Sequence, residues 1–536
     1  MILGAAAWST SASAAAPLER LALPTKPCSE TWKLLIQKGL HHFNFTQDSY
    51  NSYAARVKRT ECYKDWTILV YMAADNDLTP YALMDLHEME AGFKGEAAVA
   101  GSTLKSDLVV HLDTQGRSKI RRLHIFQSSE VYDPKQTLET IQKQGVAGIR
   151  SPVAAFLPDK KIPEETKLKH FLEWGTKNYP AKHYMVIVWG HGQGWAPAPT
   201  PPGPVTSRFL NLGDTQLDHA LTASSDKTPR LEKGPFSGRN FGGLAFNSTQ
   251  NSYLGIPSLR NALESVFDAD HPLDLYASDA CLMQMAEVAT EISSVTRFIT
   301  GSTQVQNFLG LPYRRMMYEL NKGSFLEARK SQRSCNSTDE ACLLAWMIPR
   351  VFLASMKDNG LQGREAPEGI KSITMSSISS SELRSTLNPA LDRLSEALLR
   401  YLTEDHKRTI DIQFVLQQAP HFEGGAQDIG AFLTLMEILL KKEAEKSGGM
   451  TETAAQLKLA INSTRDALLR TVMNQALGTN YTSGSENLYR LGIRATSVWL
   501  PVSPEDYQNR IESFTPSEFY HQVRWQEWLA TVFNTH

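Results

Sequence analysis

Two short apolar runs restrict this chain more tightly than anything else in its 536 residues. One, Tyr184-Met-Val-Ile-Val-Trp-Gly-His191-Gly-Gln-Gly-Trp, delivers a histidine, and the other, Pro272-Leu-Asp-Leu-Tyr-Ala-Ser-Asp-Ala-Cys281-Leu-Met, delivers a cysteine. Short runs that stay apolar read as strands buried on both faces, and such strands belong to parallel sheets covered by helices. In open sheets of that kind the working residues stand outside the carboxyl ends of the strands, where both of these fall. A thiolate beside an imidazole base is a nucleophilic pair. Either residue alone reads better as a turn histidine or a buried inert cysteine. The identical placement of both reverses that judgement.

The same alternation runs through the first part of the chain. Strands are expected at 66–72, 107–112, 120–126, 185–189, 273–277 and 297–301, with helices at about 164–178 and 257–267. Asp75-Asn-Asp77 reads as the turn after the first strand, with Thr79 as N-cap and Pro80 opening a helix. The pattern predicts an α/β fold with a largely parallel sheet sandwiched by helices. Met285, Val288, Ala289 and Ile292 recur at helical spacing, so Cys281 is expected to open a helix whose dipole lowers the thiol pKa. After Tyr313 the chain reads as mostly helical, at 341–356, 381–402, 429–442 and 453–473, with a late strand at 492–501.

Lys+Arg 55 against Asp+Glu 57 leaves a net charge of −2, which gives nucleic acid or an anionic membrane no footprint. No apolar run is long enough for a membrane span. The small-residue start through 1–16 resembles a signal peptide, so a secreted or periplasmic protein is expected. Residues 17–64 read as an extension or pro-segment, 65–320 as the catalytic domain and 321–536 as a helical C-terminal region. Cys28, Cys62, Cys335 and Cys342 can form two disulfides with Cys281 left over, or all five can be reduced. Residues 196–240, rich in proline and carrying Arg208, Lys227, Arg230, Lys233 and Arg239, read as an exposed loop open to cleavage.

Thr67-Ile-Leu-Val-Tyr-Met-Ala-Ala-Asp-Asn-Asp-Leu, Trp189-Gly-His-Gly-Gln-Gly-Trp and Ser278-Asp-Ala-Cys-Leu-Met together resemble the clostripain family of cysteine peptidases, which has the caspase-like fold. The resemblance implies His191 as catalytic histidine, Cys281 as nucleophile, and the amides of Gly192 and Cys281 as oxyanion hole. It implies Asp279 as the acid that recognises Lys or Arg before the scissile bond, and activation by internal cleavage. The family often carries a second pocket acid where this chain has Leu309. Asp279 also reads as a turn or capping residue, and His87 and His111 as structural or surface histidines. No zinc spacing or serine-hydrolase elbow is present.

These readings converge on an exported cysteine endopeptidase acting on proteins or peptides. It is expected to be a monomer, in two chains after cleavage, with no metal site and no required cofactor; calcium is the one ion left open. The rivals are a catalytically silent caspase-like binding protein and a thiol amidase or transpeptidase.

Overall fold

The computed structural model describes residues 23–28, 47–56, 61–93, 100–116, 119–128, 132, 143–157, 161–195, 242–307, 309–323, 325–331, 335–358, 371, 373–420, 422, 426–482 and 492–533. Its strands are β1 (Lys26–Pro27), β2 (Cys62–Ala74), β3 (Ser106–Thr114), β4 (Ile120–His124), β5 (Val153–Leu157), β6 (Ala181–Trp189), β7 (Leu244–Asn247) and β8 (Ser252–Leu254). There follow β9 (Leu273–Asp279), β10 (Thr296–Gly301), β11 (Thr374–Ser379), β12 (Ala426–Asp428), β13 (Val472–Leu477) and β14 (Ser497–Trp499). The main sheet runs β13-β11-β10-β9-β6-β2-β3-β4-β5, with β1 added to β2. Its centre, β10 to β3, is parallel throughout, and the outer strands β4, β5, β11 and β13 are antiparallel.

Strand β2 explains why the sheet needs two covers. Leu69, Tyr71 and Ala73 enter one core, while Ile68, Val70 and Met72 enter the other. That is the two-residue period of a strand, with apolar side chains on both faces. The second core is closed by α1 (Thr79–Glu90) and, from later in the chain, by the helices Tyr313–Lys322 and Glu340–Asp358. The first is closed by α2 (Glu164–Asn178), α3 (Ile256–Glu264) and α4 (Ala286–Ile292). Helices α5 (Tyr313–Lys322) and α6 (Glu340–Asp358) follow. The chain then adds α7 (Asn388–Glu404), α8 (Ile429–Ser447), α9 (Glu452–Thr471) and α10 (Trp525–Phe533), all packed on the first core. The expected parallel sheet between helices is therefore present.

Three details differ from the sequence reading. Thr79 does not cap α1: the residue before the helix is Leu78, and the Thr79 hydroxyl donates to the carbonyl of Ala74 at 2.5 Å. The expected late strand shortens to β14, which pairs with β12 outside the main sheet. And β11 and β13, which lie within the stretch read as helical, extend the main sheet. Strand β11 escapes a hydropathy reading because its core-facing hydroxyls are satisfied: Ser377 shares a hydrogen with Thr300 at 2.7 Å, and Ser376 donates to the Ala495 carbonyl at 2.6 Å.

The C-terminal segment also packs against the segment that follows β6. Trp195 packs against Trp499 and Phe514, and the Trp525 indole donates to the Trp499 carbonyl at 2.8 Å. The Trp499 amide donates to buried Glu287 at 2.7 Å. Disulfides join Cys28 to Cys62 and Cys335 to Cys342, leaving Cys281 outside both. Residues 1–16 lie outside the described residues, and among the described residues no helix is long and apolar enough to cross a membrane.

Candidate active site

Strands β6 and β9 pair in parallel with Trp189 opposite Asp279. His191 and Cys281 each stand two residues beyond that pair, so register alone brings them to the same edge, on neighbours about 4.8 Å apart. The two turns interlock: the Gly190 amide donates to the Asp279 carbonyl at 3.1 Å. Gly192 faces the cysteine turn so closely that a Cβ there would stand 2.5 Å from the Cys281 carbonyl oxygen. No side chain fits at that position, whatever its chemistry. Gly192 also bridges to Leu244, flanked by bonds from Gln193 to Gly243 and from Ala245 to His191.

The Asp75-Asn-Asp77 segment, read from sequence only as the turn after the first strand, supplies a group to the site. Asp77 Oδ1 accepts from His191 Nε2 at 2.7 Å, both side chains being partly buried. That partner assigns the imidazole proton to Nε2 and leaves the lone pair on Nδ1. The turn is held from the β7–β8 hairpin. Asn76 Nδ2 donates to the Phe246 carbonyl at 2.7 Å, and the Thr249 hydroxyl donates to Asp75 at 2.7 Å. Asn247 in turn donates to Glu164, which also holds Lys167 at 2.6 Å and the Tyr71 hydroxyl at 2.6 Å. Removing one charge from a buried set like this costs about 3–5 kcal/mol, so the hairpin and the histidine turn are fixed together.

Cys281 does not open a helix. It lies in a turn, Leu282 takes a left-handed φ of 63°, and Met285 is extended where it bridges to Ser497. Helix α4 starts only at Ala286 and is seven residues long, so the expected dipole effect on the thiol has no geometry behind it. A different donor reaches the sulfur: the backbone amide of Gln306 points at Cys281 Sγ from 3.3 Å.

Asp279 is fully buried and is no helix cap. It accepts from the Leu311 amide at 3.0 Å, the Tyr313 hydroxyl at 2.7 Å and the Gln306 side-chain amide at 2.7 Å. Burial raises its pKa to about 6 against the pull of those donors. Leu309 is buried in the apolar core beside α1, so it contributes no polar group to this pocket. Sequence reasoning missed two neighbours. Asp85 on α1 accepts from the Trp189 indole at 2.7 Å, and Gln306 touches both Asp279 and the thiol. The signal for Asp85 was faint: it is one of several polar positions in α1, with His87, Glu88 and Glu90.

His111 is buried against Tyr71, and burial holds its pKa well below the usual histidine range, the behaviour of a structural ring. His87 is buried in α1. Among the described residues no group of three His, Cys, Asp or Glu is placed to share a metal ion.

The clostripain family, Peptidase_C11, matches residues 70–222 and 237–531. Similar solved structures include a secreted C11 cysteine protease from Bacteroides thetaiotaomicron in complex with an irreversible peptide inhibitor. It is 18% identical, covers 84% of this chain and 98% of its own, and has a TM-score of 0.47. Another is an inactive zymogen C11 protease from Parabacteroides distasonis, 16% identical over 86% of this chain and 98% of its own, with a TM-score of 0.49. Among curated proteins nothing matches. With the family match spanning most of the chain, over a caspase-like sheet that carries His191 and Cys281 at adjoining strand ends, the protein belongs to the clostripain family and is a cysteine-type peptidase.

Proposed function

We propose that the protein is an endopeptidase that cuts after Arg or Lys through a Cys281–His191 dyad, with Asp77 positioning the histidine. The observation that carries this reading is the register of β6 against β9, with Asp77 on the far nitrogen of the ring. In the first step Cys281 Sγ, its proton passed to His191 Nδ1, attacks the scissile carbonyl carbon. The new C–S bond pushes the π electrons onto oxygen, where the Gly192 and Cys281 amides stabilise the oxyanion. Collapse expels the amine, which takes the proton from His191 and leaves a thioester. His191 then deprotonates water, and hydroxide cleaves the thioester to release the new carboxyl terminus.

Asp279 is the recognising charge. A buried carboxylate lacking a cation is costly, and a P1 guanidinium or ammonium relieves that cost with a charge-assisted hydrogen bond. Export fits the two disulfides. The test is turnover of peptides differing only at P1, with Arg, Lys, Asn, Asp or Leu. Arg and Lys are expected to lead by at least about 100-fold in kcat/KM. Equal turnover of the Leu peptide removes the basic specificity but leaves the dyad.

Self-cleavage belongs to the same reading. Residues 196–240 lie outside the described residues, but their two ends are fixed: Gly243 donates to the Gly194 carbonyl at 3.0 Å. The family match breaks at 223–236, a stretch holding Lys227, Arg230 and Lys233. A cut there leaves the site's framework joined across that base. New N-termini after basic residues between Arg208 and Arg239 are expected in wild type and absent in Cys281→Ala. The same termini in both proteins mean another protease makes the cut.

A further inference from the structure

We propose that Asp85 is a second carboxylate of the P1 pocket, filling the part that the apolar Leu309 leaves open. This rests on the reading of Asp279 as the recognising acid and adds a specificity residue from a different element, α1.

The two acids share one small space. A Cβ built on Gly310 would stand 2.8 Å from Asp279 Oδ2 and 3.1 Å from Asp85 Oδ2, and the glycine has a left-handed φ of 58°. Only a glycine lets the chain pass this close to both carboxylates at once. Asp85 is fully buried; Oδ2 accepts from the Trp189 indole, while Oδ1 is buried without a hydrogen-bond partner among the described residues. An acceptor left dry in this way costs stability unless a donor arrives. Asp279 carries a stand-in for such a donor. The Gln306 amide sits on its Oδ1 at 2.7 Å, a neutral N–H group where a cation would give more. The other donors to Asp279, the Leu311 amide and the Tyr313 hydroxyl, are uncharged too.

The surrounding charges support a cationic occupant. Glu88, one turn along α1, lies near both acids, and Arg314 faces Glu88. Arg314 also lies over the rings of Phe93 and Tyr132. Burial first, then Asp279 and Glu88, push the Asp85 pKa well above the usual carboxylate range. A substrate's basic side chain carries the charge that these acids would take. Displacing the Gln306 amide would let a guanidinium fork span both carboxylates.

The experiment compares wild type, Asp85→Asn, Asp279→Asn and Trp189→Phe on peptides with Arg, Lys or citrulline at P1, from pH 5 to 8. Asparagine keeps an acceptor for the Trp189 indole, and Trp189→Phe removes that hydrogen bond while leaving the charge. The readout is the ratio of kcat/KM for Arg over citrulline, in which the titrations of His191 and Cys281 cancel. Asp85→Asn is expected to lower the ratio at least about tenfold. It should also move the acid-side fall of the ratio to lower pH, because Asp85, whose pKa Asp279 and Glu88 help to raise, no longer titrates and Asp279 alone remains. Trp189→Phe should leave the ratio in place. A ratio and pH profile unchanged in Asp85→Asn but collapsed in Asp279→Asn overturns the assignment of Asp85 alone. So does a Trp189→Phe protein that matches Asp85→Asn. A ratio unchanged in both aspartate variants overturns basic recognition itself, and this proposal with it.

Discussion

Cys281→Ala is expected to lower peptide hydrolysis by about 10⁴-fold or more, and His191→Ala by a similar factor. The two residues act as one unit, because the thiol needs the ring to remove its proton and the leaving amine needs the ring to return it. The double variant should therefore be little slower than either single one. Both substitutions lie beyond the ends of β6 and β9, outside the main strands, so thermal unfolding should move little. A folded Cys281→Ala protein that keeps wild-type kcat removes the nucleophile assignment.

Asp279→Asn is the second large effect. Leaving a substrate cation in a buried pocket without its anion costs about 2–5 kcal/mol, or on the order of 10²–10³-fold in kcat/KM for Arg and Lys peptides. Citrulline and Leu peptides should lose far less. The wild type offers the same test through pH. Cation recognition needs the ionised carboxylate, and burial has raised its pKa to about 6. Preference for basic over neutral P1 is therefore present above that pH and lost as pH falls through it. A preference that stays flat to pH 5, or an Asp279→Asn protein that slows all substrates alike, makes Asp279 a structural acceptor for Leu311 and Tyr313.

The placement of His191 and Cys281 at adjoining strand ends was legible because its information is local. Two apolar runs that each end in a reactive residue need no partner sequence to be read, and the sheet then supplies the pairing of Trp189 with Asp279. The rest depended on contacts between distant segments. Asp77 is a turn residue in sequence, and only the β7–β8 hairpin turns it toward His191. Asp85 looks like one more polar position of an amphipathic helix until Gly310 brings it beside Asp279. The helix expected at Cys281 failed for the opposite reason. The spacing of Met285, Val288, Ala289 and Ile292 is helical, but β14 claims Met285 as an extended bridge and delays the helix to Ala286. Strand β13 begins at Val472, directly after the last residue of α9, so no turn residue marks the change.

The central claim, that Cys281 carries the reaction, is tested most directly by mapping a covalent adduct. Wild-type protein treated with a peptidyl chloromethyl ketone ending in Arg should take one equivalent and lose activity in step with labelling. Mass spectrometry of its peptides should place the adduct on Cys281, and His191→Ala should label far more slowly. An adduct on any other residue at full inactivation, or undiminished hydrolysis by protein fully labelled at Cys281, would contradict the account.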